Sequence, residues 1–159
     1  MKTLVIGVGN DFRGDDVAGL LVARRIRELN LPHVQVIESD GECTKLMENW
    51  KDAEKVILID AVHSGATPGT IHRIPAQDLP PKLLQCSTHA FGVAEAIELS
   101  KAFGQLPARF SIIGIEGSAF TVGAALSEPV ANAVIEVVGL VLQEIRTEEK
   151  IYWPSRASE

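Results

Sequence analysis

Three side chains from separate parts of the chain, Asp16, Asp60 and His89, have the chemistry of a metal or acid–base site. Two carboxylates and one imidazole are suitable ligands for a borderline divalent metal such as nickel or zinc. Three protein ligands also leave coordination positions open for water or a substrate. The residue types therefore predict an open metal site, provided that the fold brings the three side chains together.

Asp16 belongs to a glycine-rich stretch, GVGNDFRGDD, that follows the first apolar segment. Residues Thr3–Val8 are aliphatic or β-branched and carry no charge, which predicts a strand buried on both faces. The glycines after it allow a tight turn, and Asp15 is placed to cap the next helix, a role worth about 1 kcal/mol. Asp16 is then left over for a ligand, although alone it would be an ordinary acid in a first helical turn.

Asp60 lies near the end of the second uninterrupted apolar run, KVILIDAV. A carboxylate on a buried strand costs free energy unless it is paired, protonated or bound to a ligand. We therefore favour a functional role for Asp60 over a structural one. His89 lies in the segment STHAFG, just before an apolar-periodic stretch; taken singly, it is explained as well by an ordinary hydrogen-bonded histidine.

Strand-like and helix-like stretches alternate along the chain. The apolar pattern predicts strands over residues 3–8, 34–38, 55–62 and 110–116, and helices over residues 17–29, 44–50, 89–102 and 127–145. Such alternation is typical of a mostly parallel sheet with helices on both faces. The strands at residues 3–8 and 55–62 should be neighbours, and ligands bind outside the carboxyl ends of strands whose crossovers leave toward opposite faces.

A fifth strand is predicted at residues 70–74, after a connection too short for a parallel crossover. It should run antiparallel at an edge of the sheet, in a hairpin with the preceding strand, and end at Pro75. His63 and His72 on this hairpin are expected to be exposed to solvent. Glu116 ends the strand 110–116 and has two possible roles. Its side chain reaches the predicted metal site, or it pairs with Arg109 or another base.

Together these elements predict one α/β domain, residues 1–146, with three α/β/α layers around a mostly parallel five-stranded sheet with one antiparallel edge strand. Residues 147–159 form a charged tail. A chain of 159 residues, 46% of them hydrophobic, has the size and composition for one core.

Charge and cysteine content restrict the partners. A net charge of -6 argues against a nucleic-acid or anionic-membrane surface. Cys43 and Cys86 lack the spacing of a metal finger or a disulfide scaffold, so reducing cytosol is the predicted compartment. No segment has the pattern of a signal peptide or a membrane span. We expect a cytoplasmic monomer.

Three common motifs of hydrolases and nucleotide-binding proteins are missing from the sequence. No Gly-x-Ser-x-Gly turn marks a serine hydrolase, and no Gly-Lys-Ser/Thr marks a phosphate loop. The stretch GVGNDF has Phe12 where the third glycine of a dinucleotide-binding turn belongs. The glycine-rich turn therefore needs another explanation.

The stretches GVGNDFRGDDVAG, SDGE, LIDAVHSG, STHAFG and IIGIEG resemble the hydrogenase maturation proteases, endopeptidases that process the large subunit of nickel-iron hydrogenases. The resemblance extends to about residue 145. It implies that Asp16, Asp60 and His89 bind the metal and that Asp16 and Asp60 are catalytic. Whether an aspartate or a metal-bound water performs the chemistry stays open.

The same resemblance implies contacts between the substrate and Gly9, Asn10, Asp40 and Thr88. It also implies that the C-terminal extension of a hydrogenase large-subunit precursor is removed after nickel insertion. The precursor would present the nickel, for which zinc or cadmium could substitute. Family members often have glutamate at the position of Asp16, and the shorter aspartate keeps the donor but changes its reach.

Two other functions stay open at this point. A nickel-binding chaperone without peptidase activity would use the same ligands. A peptidyl-tRNA hydrolase-like esterase shares the architecture and a Gly-x-Gly-Asn turn. However, such esterases have proline where this chain has Asp11, and the chain is acidic.

Overall fold

The computed structural model describes residues 2–78 and 90–152. The described residues form five strands, β1 (Thr3–Val8), β2 (Val34–Ser39), β3 (Lys55–Val62), β4 (Ile71–Pro75) and β5 (Arg109–Glu116). They also form four α-helices, α1 (Ala18–Glu28), α2 (Cys43–Trp50), α3 (Ala90–Ala102) and α4 (Glu128–Tyr152), besides short 3-10 turns at Gly14–Val17 and Ala76–Asp78. The predicted elements are confirmed, although α4 continues past its predicted end near residue 145.

The five strands form one sheet in the order β2-β1-β3-β5-β4. All neighbouring pairs are parallel except β4 and β5. The predicted neighbours β1 and β3 are adjacent, with Thr3 opposite Lys55 and Gly7 opposite Ile59. The mostly parallel sheet with one antiparallel edge strand is confirmed.

The predicted hairpin between β3 and β4 is wrong. β4 is antiparallel, but its partner is β5, which lies between β3 and β4. The short connection fixes the direction of β4 and not its partner, because residues 63–70 are long enough to pass over the end of one intervening strand. His72 consequently lies opposite Gly114 of β5.

Helices cover both faces of the sheet and form two apolar clusters. On one face, α2 and α3 pack against β1, β3 and β5 through Leu46, Trp50, Val93, Ala96 and Ile97. On the other face, α1 and α4 pack against the same strands through Val22, Ile26, Val130, Val137 and Val141. The predicted three-layer α/β/α architecture is confirmed, and no helix among the described residues is long and apolar enough to cross a bilayer.

Glycines let α1 lie very close to the sheet. A Cβ on Gly19 would lie 2.4 Å from the carbonyl oxygens of both Val8 and Ile59, and a Cβ on Gly7 would lie 2.3 Å from the carbonyl oxygen of Gly19. Such distances are far below van der Waals contact. The start of α1 is therefore pressed against the ends of β1 and β3, next to the turn that carries Asp16.

We expect Gly19→Ala to lower the free energy of unfolding by roughly 2–3 kcal/mol, because α1 must move away from two strands at once. Gly139→Ala is the matched control. A Cβ on Gly139 has open space in helix α4, so alanine there should stabilise the protein by roughly 0.5–1 kcal/mol. Urea unfolding of both variants measures the difference. Equal effects of the two substitutions would contradict the packing argument.

Candidate functional site

The turn that carries Asp16 folds back over the end of β1. The backbone N–H of Asn10 donates to the carbonyl oxygen of Asp16 at 3.2 Å. A Cβ on Gly9 would lie 2.3 Å from that same oxygen, so the position accepts only glycine without a shift of the backbone. Cα atoms of the Gly14–Val17 turn also lie within 8 Å of β3. Asp16 is thereby held at the carboxyl edge of the two central strands.

Asp60 lies near the carboxyl end of β3, opposite Gly114 of β5. Its side chain follows Val56 and Leu58 in the strand alternation, and these two residues face the cluster under α2 and α3. Asp60 is 3% exposed and Asp16 is 1% exposed. Both buried carboxylates therefore belong to segments at the carboxyl edge of the sheet, the 3-10 turn after β1 and the end of β3.

The third predicted ligand, His89, and the predicted substrate contact Thr88 lie outside the described residues. α3, which begins at Ala90, starts at the carboxyl edge, because a Cβ on Gly92 would lie 1.6 Å from the carbonyl oxygen of Gly41. Gly41 itself follows the end of β2. Within residues 2–78 and 90–152 no three His, Cys, Asp or Glu side chains form a group that could hold a metal ion. Asp16 and Asp60 are the two predicted ligands that the described residues include.

Asp15 is not the cap of α1, which makes that prediction wrong. Its carboxylate accepts hydrogen bonds from the backbone N–H groups of Ser118, Ala119 and Ser127, at 2.8, 3.0 and 2.8 Å, and from the Ser127 hydroxyl at 3.0 Å. Its own N–H donates to the Ala119 carbonyl at 2.7 Å. Asp15 is thus a buried anchor for residues 117–127, which connect β5 to α4.

The protonation of Asp15 follows from this arrangement. Burial acts to raise the pKa of the carboxyl group, but the hydrogen bonds from the Ser118, Ser127 and Ala119 backbone outweigh it and lower the pKa below its ordinary value. The carboxyl group is therefore ionised at neutral pH, within the same turn that carries Asp16.

Glu116 forms a second buried cluster at the same edge of the sheet. It is fully buried at the end of β5 and accepts hydrogen bonds from the Ser64 backbone N–H, at 2.7 Å, and from the Ser64 hydroxyl. Nε2 of His72 lies 3.2 Å from its Oε1. The base that pairs with Glu116 is therefore His72, and the prediction that His72 is simply exposed to solvent is wrong.

A cleft of about 350 Å³ adjoins the site on the β2 side. It is lined by Gly9, Leu20, Glu38, Ser39, Asp40, Lys45 and Asn49. Two of the predicted substrate contacts, Gly9 and Asp40, thus lie in one cleft at the carboxyl edge. Asn10 is exposed nearby, and its side chain accepts a hydrogen bond from the Phe12 N–H at 2.8 Å.

Comparisons with known proteins identify the family of the chain. The family model described as hydrogenase maturation protease matches residues 20–144. The chain belongs to the hydrogenase maturation protease family. A protein of Methanocaldococcus jannaschii that bears the provisional name of hydrogenase maturation protease is 32% identical over 149 residues, which cover 90% of this chain and 96% of the relative. The hydrogenase 2 maturation protease of Escherichia coli is 22% identical over 140 residues, covering 86% of this chain and 85% of that protein.

Solved structures of maturation proteases have the same fold. The hydrogenase maturating endopeptidase HybD of Escherichia coli superposes with a TM-score of 0.82, covering 93% of this chain and 94% of that chain at 20% identity. The hydrogenase 2 maturation peptidase of Thaumarchaeota archaeon SCGC_AB-539-E09 is 28% identical, with a TM-score of 0.69 and coverage of 91% and 98%. The three-layer domain described above is thus the maturation protease fold.

Sequence reasoning about this family member missed the anchoring role of Asp15 and the pair formed by Glu116 and His72. Both depend on contacts across long stretches of chain: Asp15 meets residues 118–127, and Glu116 meets residues 64 and 72. One signal was present in the sequence. A helix cap uses one side chain, but Asp15 and Asp16 are adjacent just before α1. At least one of the two aspartates was therefore expected to have another partner.

Proposed function

We propose that this maturation protease is an endopeptidase that removes the C-terminal extension of a nickel-iron hydrogenase large-subunit precursor after nickel has been inserted. The nickel belongs to the precursor and is contacted by Asp16, Asp60 and His89. Family membership supports the peptidase activity, because the family model matches residues 20–144. The observation that supports the assignment of residues is the pair of buried carboxylates, Asp16 and Asp60, at one edge of the sheet.

The position of the two acids favours ligand binding over a structural role. β1 continues into α1 on one face of the sheet, whereas the connection after β3 includes α3 on the other face. A crevice forms at such a switch point, and in α/β sheets it is the usual place for a ligand. Burial of two carboxylates there costs free energy that a bound cation would offset.

Hydrolysis of a peptide bond needs a base and an acid. Water adds to the carbonyl carbon while a base takes its proton, and the carbon–nitrogen bond breaks as that proton passes to the leaving amine. A buried carboxylate can accept the proton and then return it. In our proposal Asp16 and Asp60 share two tasks, contact with the nickel of the precursor and transfer of this proton.

The proposed contacts give a reason for nickel dependence. A precursor without nickel supplies no positive charge to offset the two carboxylates, Asp16 and Asp60, at the surface where it binds. In a precursor that already holds nickel, the cation is fixed before binding, so fewer groups of the enzyme and the precursor must be ordered when they associate. The protein itself should bind free nickel weakly, because an open site built largely from carboxylates competes poorly with water for the ion.

We expect chelator-treated enzyme to cleave a nickel-loaded precursor at least about a hundredfold faster than the nickel-free precursor, a difference of roughly 2.7 kcal/mol. Gel electrophoresis of the large subunit measures the loss of the extension. Equal rates on both precursors, or nanomolar binding of free nickel by the isolated protein, would show that nickel on the substrate is not what is recognised. A nickel chaperone would bind the precursor without producing the lighter product.

A further inference from the structure

Four side chains on three loops lie beside the candidate site: two exposed apolar residues and one stacked pair of rings. We call Phe12, His63, Phe120 and Val122 the apolar rim. Phe12 is 75% exposed and Val122 is 78% exposed. Their loops are joined, because the N–H of Gly123 donates to the Phe12 carbonyl at 2.9 Å. The rings of His63 and Phe120 stack with centroids 5.3 Å apart.

The loops that carry the rim follow β1, β3 and β5, so the rim lies at the same carboxyl edge as Asp16 and Asp60. Phe120 links the rim to the site. Gly117 lies between Phe120 and Asp15. A Cβ placed on Gly117 would be 2.7 Å from Cζ of Phe120 and 2.9 Å from Cβ of Asp15. Asp15 is the immediate neighbour of Asp16 in the chain.

The rim is held in its exposed position. The Asp15 carboxylate accepts four hydrogen bonds from residues 118–127, and Arg13 donates through Nε to the Phe120 carbonyl at 3.3 Å. These contacts hold the loop on both sides of Val122. Apolar side chains exposed singly are ordinary, but two of them on hydrogen-bonded loops, next to a stacked ring pair and a candidate site, favour a binding surface.

We propose that the apolar rim binds an apolar segment of the precursor polypeptide next to the scissile bond. The inference rests on the proposed function. The occupant must extend from Asp16 and Asp60 onto the rim, which a polypeptide can do, since an extended chain spans about 3.3 Å per residue. Exposed aromatic and aliphatic side chains favour aliphatic or aromatic partners, and burial of such anchors carries much of the affinity at protein interfaces.

The test compares two double variants of the full chain. Phe12→Ser with Val122→Ser removes the two exposed apolar side chains of the rim and leaves His63 and the half-buried Phe120 in place. Leu29→Ser with Phe103→Ser is the matched control. These residues are 50% and 64% exposed and follow the ends of α1 and α3, at the opposite edge of the sheet.

Cleavage is measured with nickel-loaded large-subunit precursors encoded in the same genome. We expect the rim variant to raise KM about tenfold with kcat within twofold of wild type, and the control to match wild type. An unchanged KM in the rim variant, or a fall in kcat alone, would overturn the inference while leaving the proposed function in place.

A binding measurement separates the two proposals. Each double variant is combined with Asp60→Asn, and its affinity for the same uncleaved precursor is measured. We expect the rim variant to bind about tenfold more weakly than the control. If wild-type protein cleaves no precursor, the proposed function fails, and the affinities still decide the inference: equal affinities of rim and control variants contradict it.

Discussion

Asp60→Asn should abolish processing of the precursor while the protein stays folded. Asparagine keeps the shape of the side chain but removes the charge and the basicity that our proposal assigns to nickel contact and proton transfer. We expect kcat/KM to fall by roughly a thousandfold or more, comparable to the loss of other essential catalytic groups. The melting temperature should change little, because loss of a charge from a site that is 3% exposed also removes its desolvation cost.

Glu116→Gln is the matched control for Asp60→Asn. Glu116 is a second buried acid on the same face of the sheet, two residues past the partner of Asp60 on β5. Its contacts to Ser64 and His72 identify a structural role in holding residues 63–70. Glutamine should lower the free energy of unfolding by about 1–2 kcal/mol and keep processing within tenfold of wild type. Unfolding of Asp60→Asn, or complete inactivity of Glu116→Gln with its fold intact, would contradict these assignments.

Most of the fold could be predicted from local patterns. The runs Thr3–Val8 and Lys55–Val62 are apolar throughout, and both are central strands buried on both faces. Helix α4 has a continuous apolar stripe that packs on the sheet. The burial of Asp60 could also be predicted, and its role as a site residue stays a prediction, based on the cost of burying a carboxylate within such a run. In each case the signal lies within one element.

The rest depended on contacts that local patterns do not encode. The direction of β4 follows from the length of its connection, but its partner follows from the insertion of β5, which lies more than thirty residues further along the chain. Asp15 fits the pattern of a helix cap, yet the chain starts α1 from a 3-10 turn without any side-chain cap. The Asp15 carboxylate is then available to residues 118–127.

Asp15→Ala should therefore destabilise the protein by roughly 3 kcal/mol, instead of the 1 kcal/mol expected for a helix cap. The substitution leaves the N–H groups of Ser118, Ala119 and Ser127 without the carboxylate they share, and a buried donor without a partner costs about 1–3 kcal/mol. For a chain of this length, a loss of this size corresponds to a melting temperature lower by about 10 °C. Urea unfolding at pH 7 measures the change.

Asp11→Ala provides the comparison in the same loop. Asp11 pairs with Arg24 at 2.9 Å on the protein surface, so its loss should cost less than about 1 kcal/mol.

The pH dependence of stability gives an independent check on the role of Asp15. Because folding lowers the pKa of Asp15, its charge stabilises the fold above the ordinary pKa of 3.8, and this contribution is lost as the pH falls through the lower pKa of the folded state. The stability difference between wild type and Asp15→Ala should thus be constant at neutral pH and narrow in acid. A difference that stays the same down to the acid transition, or a loss no larger than that of Asp11→Ala, would show that Asp15 does not anchor residues 117–127.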